Sequence, residues 1–211
     1  MGITAGLTRS LLKATPLEQS ASVDWTPNLQ GIKFNGTNEY ANVGSSTSIQ
    51  DFDDFSMSFW FKADTLADFN MLYSDATTGY KGKEVRLRYG KLQFWTYNMG
   101  TDESAISTTT IVANTWYHAV VTHSSAGKNE IFINGALEHD DTTAGSYVKS
   151  ETNGYIGRYD ISGTDGGYWD GEIDEASIWD VVLDADAVAA VYNSGSPINL
   201  NQNKGNYDEY T

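Results

Sequence analysis

From Gly31 onward, apolar residues recur at every second position, and that period commits a chain to strands with one buried face. Phe55, Met57, Phe59 and Phe61 alternate with Ser56, Ser58, Trp60 and Lys62. Val85, Leu87 and Tyr89 alternate with Arg86 and Arg88, and Leu92, Phe94 and Thr96 alternate with Gln93, Trp95 and Tyr97. Between these last two runs, Gly90-Lys91 reads as a two-residue turn of type II′, which takes glycine at its first central position. Tyr117, Ala119 and Val121 alternate with His118, Val120 and Thr122, a strand covered on both faces. Asn134-Gly135 is a strong hairpin signal, because both central residues accept a positive φ. Short strands at such spacing predict an all-β sandwich or barrel.

One helix interrupts this pattern near the end. Asp184 is its expected N-cap, Val188, Val191 and Tyr192 give one apolar face, and Gly195 with Pro197 ends it. Before the strands, Ile3, Leu7 and Leu11 recur at every fourth residue with Leu12 alongside, and Thr15-Pro16 follows. This predicts a short amphipathic helix in an arm over residues 1–28, with Ile3, Leu7, Leu11 and Leu12 as an assembly stripe. Residues 29–198 form the main domain, and 199–211 a tail or a linker to a further domain.

Composition excludes several functions. With 13 basic against 28 acidic residues the net charge is −15, too few cations to neutralise nucleic-acid phosphates or an anionic membrane. No apolar run approaches the roughly 20 residues of a membrane span. With no cysteine there is no disulfide, thiolate metal site or cysteine nucleophile. The acid clusters Asp51, Asp53 and Asp54, and Asp140 and Asp141, read as solubilising charge with calcium as the alternative.

Several segments then resemble the laminin-G-like, concanavalin A-like family of lectin and adhesion domains. They are Phe34-Asn35-Gly36 with Tyr40-Ala41-Asn42-Val43, Phe55 to Ala63, Asn114-Thr115-Trp116-Tyr117-His118, Ile133-Asn134-Gly135, Ile156-Gly157-Arg158, and Gly171-Glu172-Ile173-Asp174-Glu175. They occur in family order between Gly31 and about Gly195. The resemblance implies a two-sheet antiparallel jelly-roll sandwich, one sheet concave, with loops at the rim. Family members often hold one structural calcium, for which Glu39 and Asp174 are the positions to examine.

The same fold hosts lectins, adhesion modules and hydrolases, so function is decided at the site. Retaining glycosidases of this family use Glu-x-Asp-x-Glu, with two carboxyl groups about 5 Å apart. Here Glu172 and Asp174 are followed by Ala176 and Ser177 where the second glutamate belongs, so the chain reads as non-enzymatic. His118, His123 and His139 lack a metal spacing, and His118 reads as a half-buried structural residue. For ligand binding, Gln93, Trp95 and Tyr97 share one strand face as a sugar platform, and Tyr159, Tyr168 and Trp169 flank a Gly-rich loop as rim contacts. The expected function is a virion surface protein, a phage decoration, knob or fibre subunit released by lysis. It would assemble as a homo-oligomer or larger particle and adhere to a glycan or host surface. The apolar arm, the lack of a signal-like stretch in Met1–Ala14 and the Thr-, Ser-, Asn- and Gly-rich composition, similar to marine phage proteins with this domain, point that way. The alternative is a carbohydrate-binding module of a secreted or cell-surface adhesin.

Overall fold

The computed structural model of the chain describes residues 9–10, 31–45, 47–79, 81–98, 103–141 and 147–198. In chain order the strands are β1 (Arg9–Ser10), β2 (Ile32–Asn35), β3 (Ala41–Gly44), β4 (Phe55–Ala63), β5 (Asn70–Ser74), β6 (Lys83–Arg88), β7 (Lys91–Thr96) and β8 (Glu103–Ile106). They continue with β9 (Trp116–Ser124), β10 (Lys128–Ile133), β11 (Ala136–Asp141), β12 (Gly154–Ile156), β13 (Tyr159–Ile161), β14 (Thr164–Gly166) and β15 (Asp170–Trp179). Helix α1 (Thr47–Gln50) is a single turn and α2 is Ala185–Tyr192.

Two large antiparallel sheets result, with β13 and β14 paired as a separate two-stranded hairpin. A seven-stranded sheet runs β1-β15-β4-β9-β10-β11, with β2 sharing the β15 edge, and a six-stranded sheet runs β3-β12-β5-β6-β7-β8. The predicted alternation decides what faces inward. Phe55, Met57, Phe59 and Phe61 of β4 meet Val85, Leu87, Leu92 and Phe94 of the facing sheet in one core. Each such side chain, fully buried, contributes roughly 1.5–3 kcal/mol. This is the jelly-roll sandwich that the sequence predicts.

The seven-stranded sheet is covered on its other face as well. Val120, Phe132 and Trp179 pack with Leu183, Val188 and Val191 into a second apolar cluster under α2. Asp184 caps that helix by accepting from the Ala187 N–H at 2.8 Å. Its C-cap is Asn193 in the left-handed region, upstream of the expected stop at Gly195. The covering explains why Ser58 and His118 are fully buried. No helix among the described residues is long and apolar enough to cross a membrane.

Three expectations need correction. The β6–β7 turn is Tyr89–Gly90, both at positive φ (52° and 70°), a type I′ turn one residue earlier than the Gly90-Lys91 reading. Within the span read as an amphipathic helix, Arg9–Ser10 form a strand that pairs with Ile178 and Ser177. Ile3, Leu7, Leu11 and Leu12 lie outside the described residues, as does the tail from 199. His118 is fully buried rather than half-buried.

Candidate functional site

Because Val85 and Leu87 point into the core, Glu84, Arg86 and Arg88 lie on the outer face of the six-stranded sheet. The register sets Arg86 opposite Gln93 and Glu84 opposite Trp95. Gln93, Trp95 and Tyr97 are thereby brought together on that face, as their alternation predicts. The Trp95 and Tyr97 rings stack 5.9 Å apart at 28°. The Arg86 guanidinium lies 4.8 Å from the Trp95 ring and 5.1 Å from that of Phe69.

The polar groups beneath the rings are fixed by one another. Gln93 Oε1 accepts from the indole Nε1–H of Trp95 at 3.2 Å and from Arg86 Nε at 3.4 Å. Glu84 Oε2 accepts from Arg86 Nη1 at 2.5 Å and from the Tyr97 hydroxyl at 2.8 Å. Burial raises the Glu84 carboxyl above its ordinary pKa, against the opposing pull of Arg86. Burial and the Glu84 charge also push the Tyr97 phenol up, so it remains a donor. Trp95 and Tyr97 are each partly exposed, while Glu84, Arg86 and Gln93 are buried. The arrangement presents a partly exposed aromatic pair over a rigid polar floor, a surface against which the apolar part of a sugar can pack.

Tyr159, in the β13–β14 hairpin, is drawn to this same face. A Cβ on Gly167 would lie 2.4 Å from the Phe69 carbonyl, 2.9 Å from Met71 Cγ and 3.0 Å from Tyr159 Cδ1, so only glycine lets the hairpin approach. Tyr168 instead donates its hydroxyl to Asp165, which pairs with Arg158. Trp169 is not a rim contact: it is fully buried, edge-on to Phe61 at 5.8 Å, and no ligand reaches it. Glu84, Arg86, Arg88, Phe69 and Tyr89 escaped the sequence reading of the site. The alternation of Arg86 and Arg88 with apolar residues was the signal available for the two arginines.

The carboxylates of β15 occupy the other sheet. Glu172 pairs with Lys62 at 2.7 Å, and Asp174 Oδ1 accepts from the Glu175 N–H at 2.9 Å. A bulge between Asp174 and Ser177 turns the fully buried Ala176 into the core and holds Glu175 at φ 45°, so the strand is not regular there. Ala176 and Ser177 stand at the two positions after Asp174 where the second glutamate of the Glu-x-Asp-x-Glu pattern would fall. Burial raises the Asp174 pKa, and its Oδ2 has no partner. Glu39 lies in the exposed β2–β3 loop. Among the described residues no group of three or more His, Asp or Glu side chains gathers, and Glu39 and Asp174 belong to different segments, the β2–β3 loop and β15. Asp51 and Asp53 pair with Lys149, and Asp140 with Lys128.

The family model described as the concanavalin A-like lectin/glucanases superfamily matches residues 35–189. None of the curated proteins compared matches the sequence. Among solved structures, the binding domain of Paraclostridial Mosquitocidal Protein 1 superposes with a TM-score of 0.62 at 17% identity, over 77% of this chain and 42% of that one. The botulinum neurotoxin serotype D ligand binding domain in complex with N-acetylneuraminic acid gives 0.58 at 18%, over 74% and 40%. Domain 4 of AbnA, an extracellular arabinanase from Geobacillus stearothermophilus in complex with arabinotriose, gives 0.56 at 17%, over 66% of each chain. The chain thus spans about two fifths of the two toxin domains. At such identities the likeness is one of fold.

Proposed function

Because the chain belongs to the concanavalin A-like lectin/glucanases superfamily, we propose that it is a non-enzymatic glycan-binding and adhesion module whose site is the Trp95–Tyr97 face. The observation that carries this reading is the stacked, partly exposed ring pair above the Glu84–Arg86–Gln93 floor. Two of the similar structures, the arabinanase domain and the serotype D domain, are complexes with a sugar, which supports the reading. Ala176 and Ser177, in place of the second glutamate of the Glu-x-Asp-x-Glu pattern, support binding without hydrolysis. The wider proposal is a virion setting, with this face turned toward a host glycan and the arm at residues 1–28 toward the particle. It rests on the sequence of the arm.

Calorimetric titration across a panel of plant, algal and animal oligosaccharides tests the site. A binding member should lose about tenfold or more in affinity in Trp95→Ala while the circular dichroism is unchanged. The same incubation should release no reducing ends. Trp95→Leu serves as a second variant should the alanine disturb the sheet. Unchanged affinity in a folded variant removes the site, and turnover abolished by Glu172→Ala removes the non-enzymatic reading.

A further inference from the structure

Three arginines on the six-stranded side of the molecule lie against aromatic rings, and two of them are neutralised. Arg86 pairs with Glu84 at 2.5 Å. Arg158, between Tyr40 (3.8 Å) and Tyr155 (4.3 Å), pairs with Asp160 at 3.0 Å and Asp165 at 2.9 Å. Arg88 is different. It lies 4.3 Å from the Phe69 ring and 4.8 Å from that of Tyr89, and donates Nη2 to the Tyr89 hydroxyl at 3.1 Å. Among the described residues no carboxylate pairs with it. Lys91, opposite it across the hairpin, donates to the Thr108 carbonyl and likewise has no carboxylate partner. In a chain of net charge −15, these two adjacent cations have no ion-pair partner among the described residues, the nearby Asp68 carboxylate being engaged by the Tyr89 N–H.

The backbone around Arg88 is strained in the same place. Phe69 has φ 68° and Tyr89 φ 52°, a region that bulky side chains seldom occupy. The first position of a type I′ turn ordinarily takes Asn, Asp or Gly, so Tyr89 there works against the hairpin. Asp68 Oδ1 accepts from the Tyr89 N–H at 2.9 Å, which ties the two strained residues together. Both rings are exposed, Tyr89 at 69% and Phe69 at 36%. Neither ring is held by core packing, yet both sit against one unpaired guanidinium.

Resting on the reading that this face binds a glycan, we propose that Arg88, Lys91, Phe69 and Tyr89 form a subsite for one acidic sugar residue, bearing a carboxylate or sulfate. Arg86 links the two ends of the site, since its guanidinium touches both Phe69 and Trp95. A guanidinium binds either anion through paired N–H donors, and the rings receive the apolar face of the sugar. The charge of the whole chain limits the ligand. The two cations act only within a screening length of about 8 Å, and further charges of a polyanion would contact the acidic surface around them, so a single terminal acidic residue fits better than a densely charged polymer.

The test titrates the full chain with matched pairs at physiological ionic strength: 3′-sialyllactose and lactose, trigalacturonate and its methyl ester, and a sulfated galactose disaccharide with its unsulfated twin. At least one acidic member should bind about tenfold or more tighter than its neutral partner, a preference that Arg88→Gln should reduce to within roughly threefold. Tyr89→Asn should weaken acidic binding while its melting temperature stays level or rises, because asparagine suits the turn. Equal binding of acidic and neutral members, unaffected by Arg88→Gln, overturns the subsite and leaves the Trp95 site standing. A Tyr89→Asn melt below that of the parent chain gives the ring a structural role and also overturns it. Binding of none of the six removes the subsite; failure across the wider oligosaccharide panel as well removes the glycan reading itself.

Discussion

At the scale of single residues, the strongest constraints lie in charges buried within the sandwich. Lys83 is fully buried, its Nζ 2.7 Å from Asp75 Oδ2 and 5.1 Å from the Phe55 ring. Asp75 Oδ1 also accepts from the Lys83 backbone N–H at 2.6 Å, and Tyr73 donates to Oδ2 at 3.1 Å. Removing one partner strands the other charge, whereas replacing both with apolar groups is often neutral. Lys83→Met should therefore cost about 3–5 kcal/mol in denaturant unfolding, and adding Asp75→Leu should recover much of it. A second residue sets the response to acid. Burial lowers the His118 pKa from 6.5 to about 3, so the native ring stays neutral where the unfolded one takes a proton. Its share of stability is intact above pH 6.5 and is lost as pH falls toward about 3. The loss is at most about 1.4 kcal/mol per pH unit. His118→Gln should show a shallower decline across that window in chemical melts. An equal slope would mean that the carboxylates alone govern acid unfolding.

At the scale of elements, alternation made the strands legible and turn chemistry set the limit. Asn134-Gly135 was readable because its residues are the preferred ones, and Asn134 holds φ 50° while its Oδ1 accepts from the His118 N–H at 2.9 Å. The Tyr89–Gly90 turn was not, because a tyrosine at positive φ contradicts the rule that sequence reading relies on. The one-residue error leaves every side chain on its proper face but moves Arg86 from Trp95 to Gln93. Gln93, Trp95 and Tyr97 thus still share one face, whereas the placement of Glu84 opposite Trp95 depends on the register. Trp169 misled for another reason. A tryptophan beside a glycine-rich loop looks accessible, and only the sheet packing shows it against Phe61. The arm is the element whose role is most open to experiment. Two of its residues extend the β15 edge at Ser177 and Ile178, while the core begins at Phe34. A chain beginning at Gly31 should keep its β-sheet circular dichroism but fail to join an oligomer or particle in sedimentation. Normal assembly of that chain would remove the arm from the proposed virion role.

At the scale of the whole molecule, the two sheets divide the work. The seven-stranded sheet is covered by α2 and carries buried, structural polar groups such as His118 and Ser58, joined at 2.9 Å. The six-stranded sheet keeps one face partly open and lays rings and guanidinium groups across it, from Tyr89 through Arg88, Phe69 and Arg86 to Trp95 and Tyr97. The central claim is that ligand meets the molecule on this second face. The most direct test is the indole N–H region of the proton–nitrogen correlation spectrum during glycan titration, with the Trp95 signal identified by its absence in Trp95→Phe. The Trp95 Nε1–H, which donates to Gln93, should shift progressively with ligand, while that of fully buried Trp169 stays in place. Shifts confined to Trp60, Trp116 or Trp179 on the seven-stranded sheet, with Trp95 unmoved, would contradict the account.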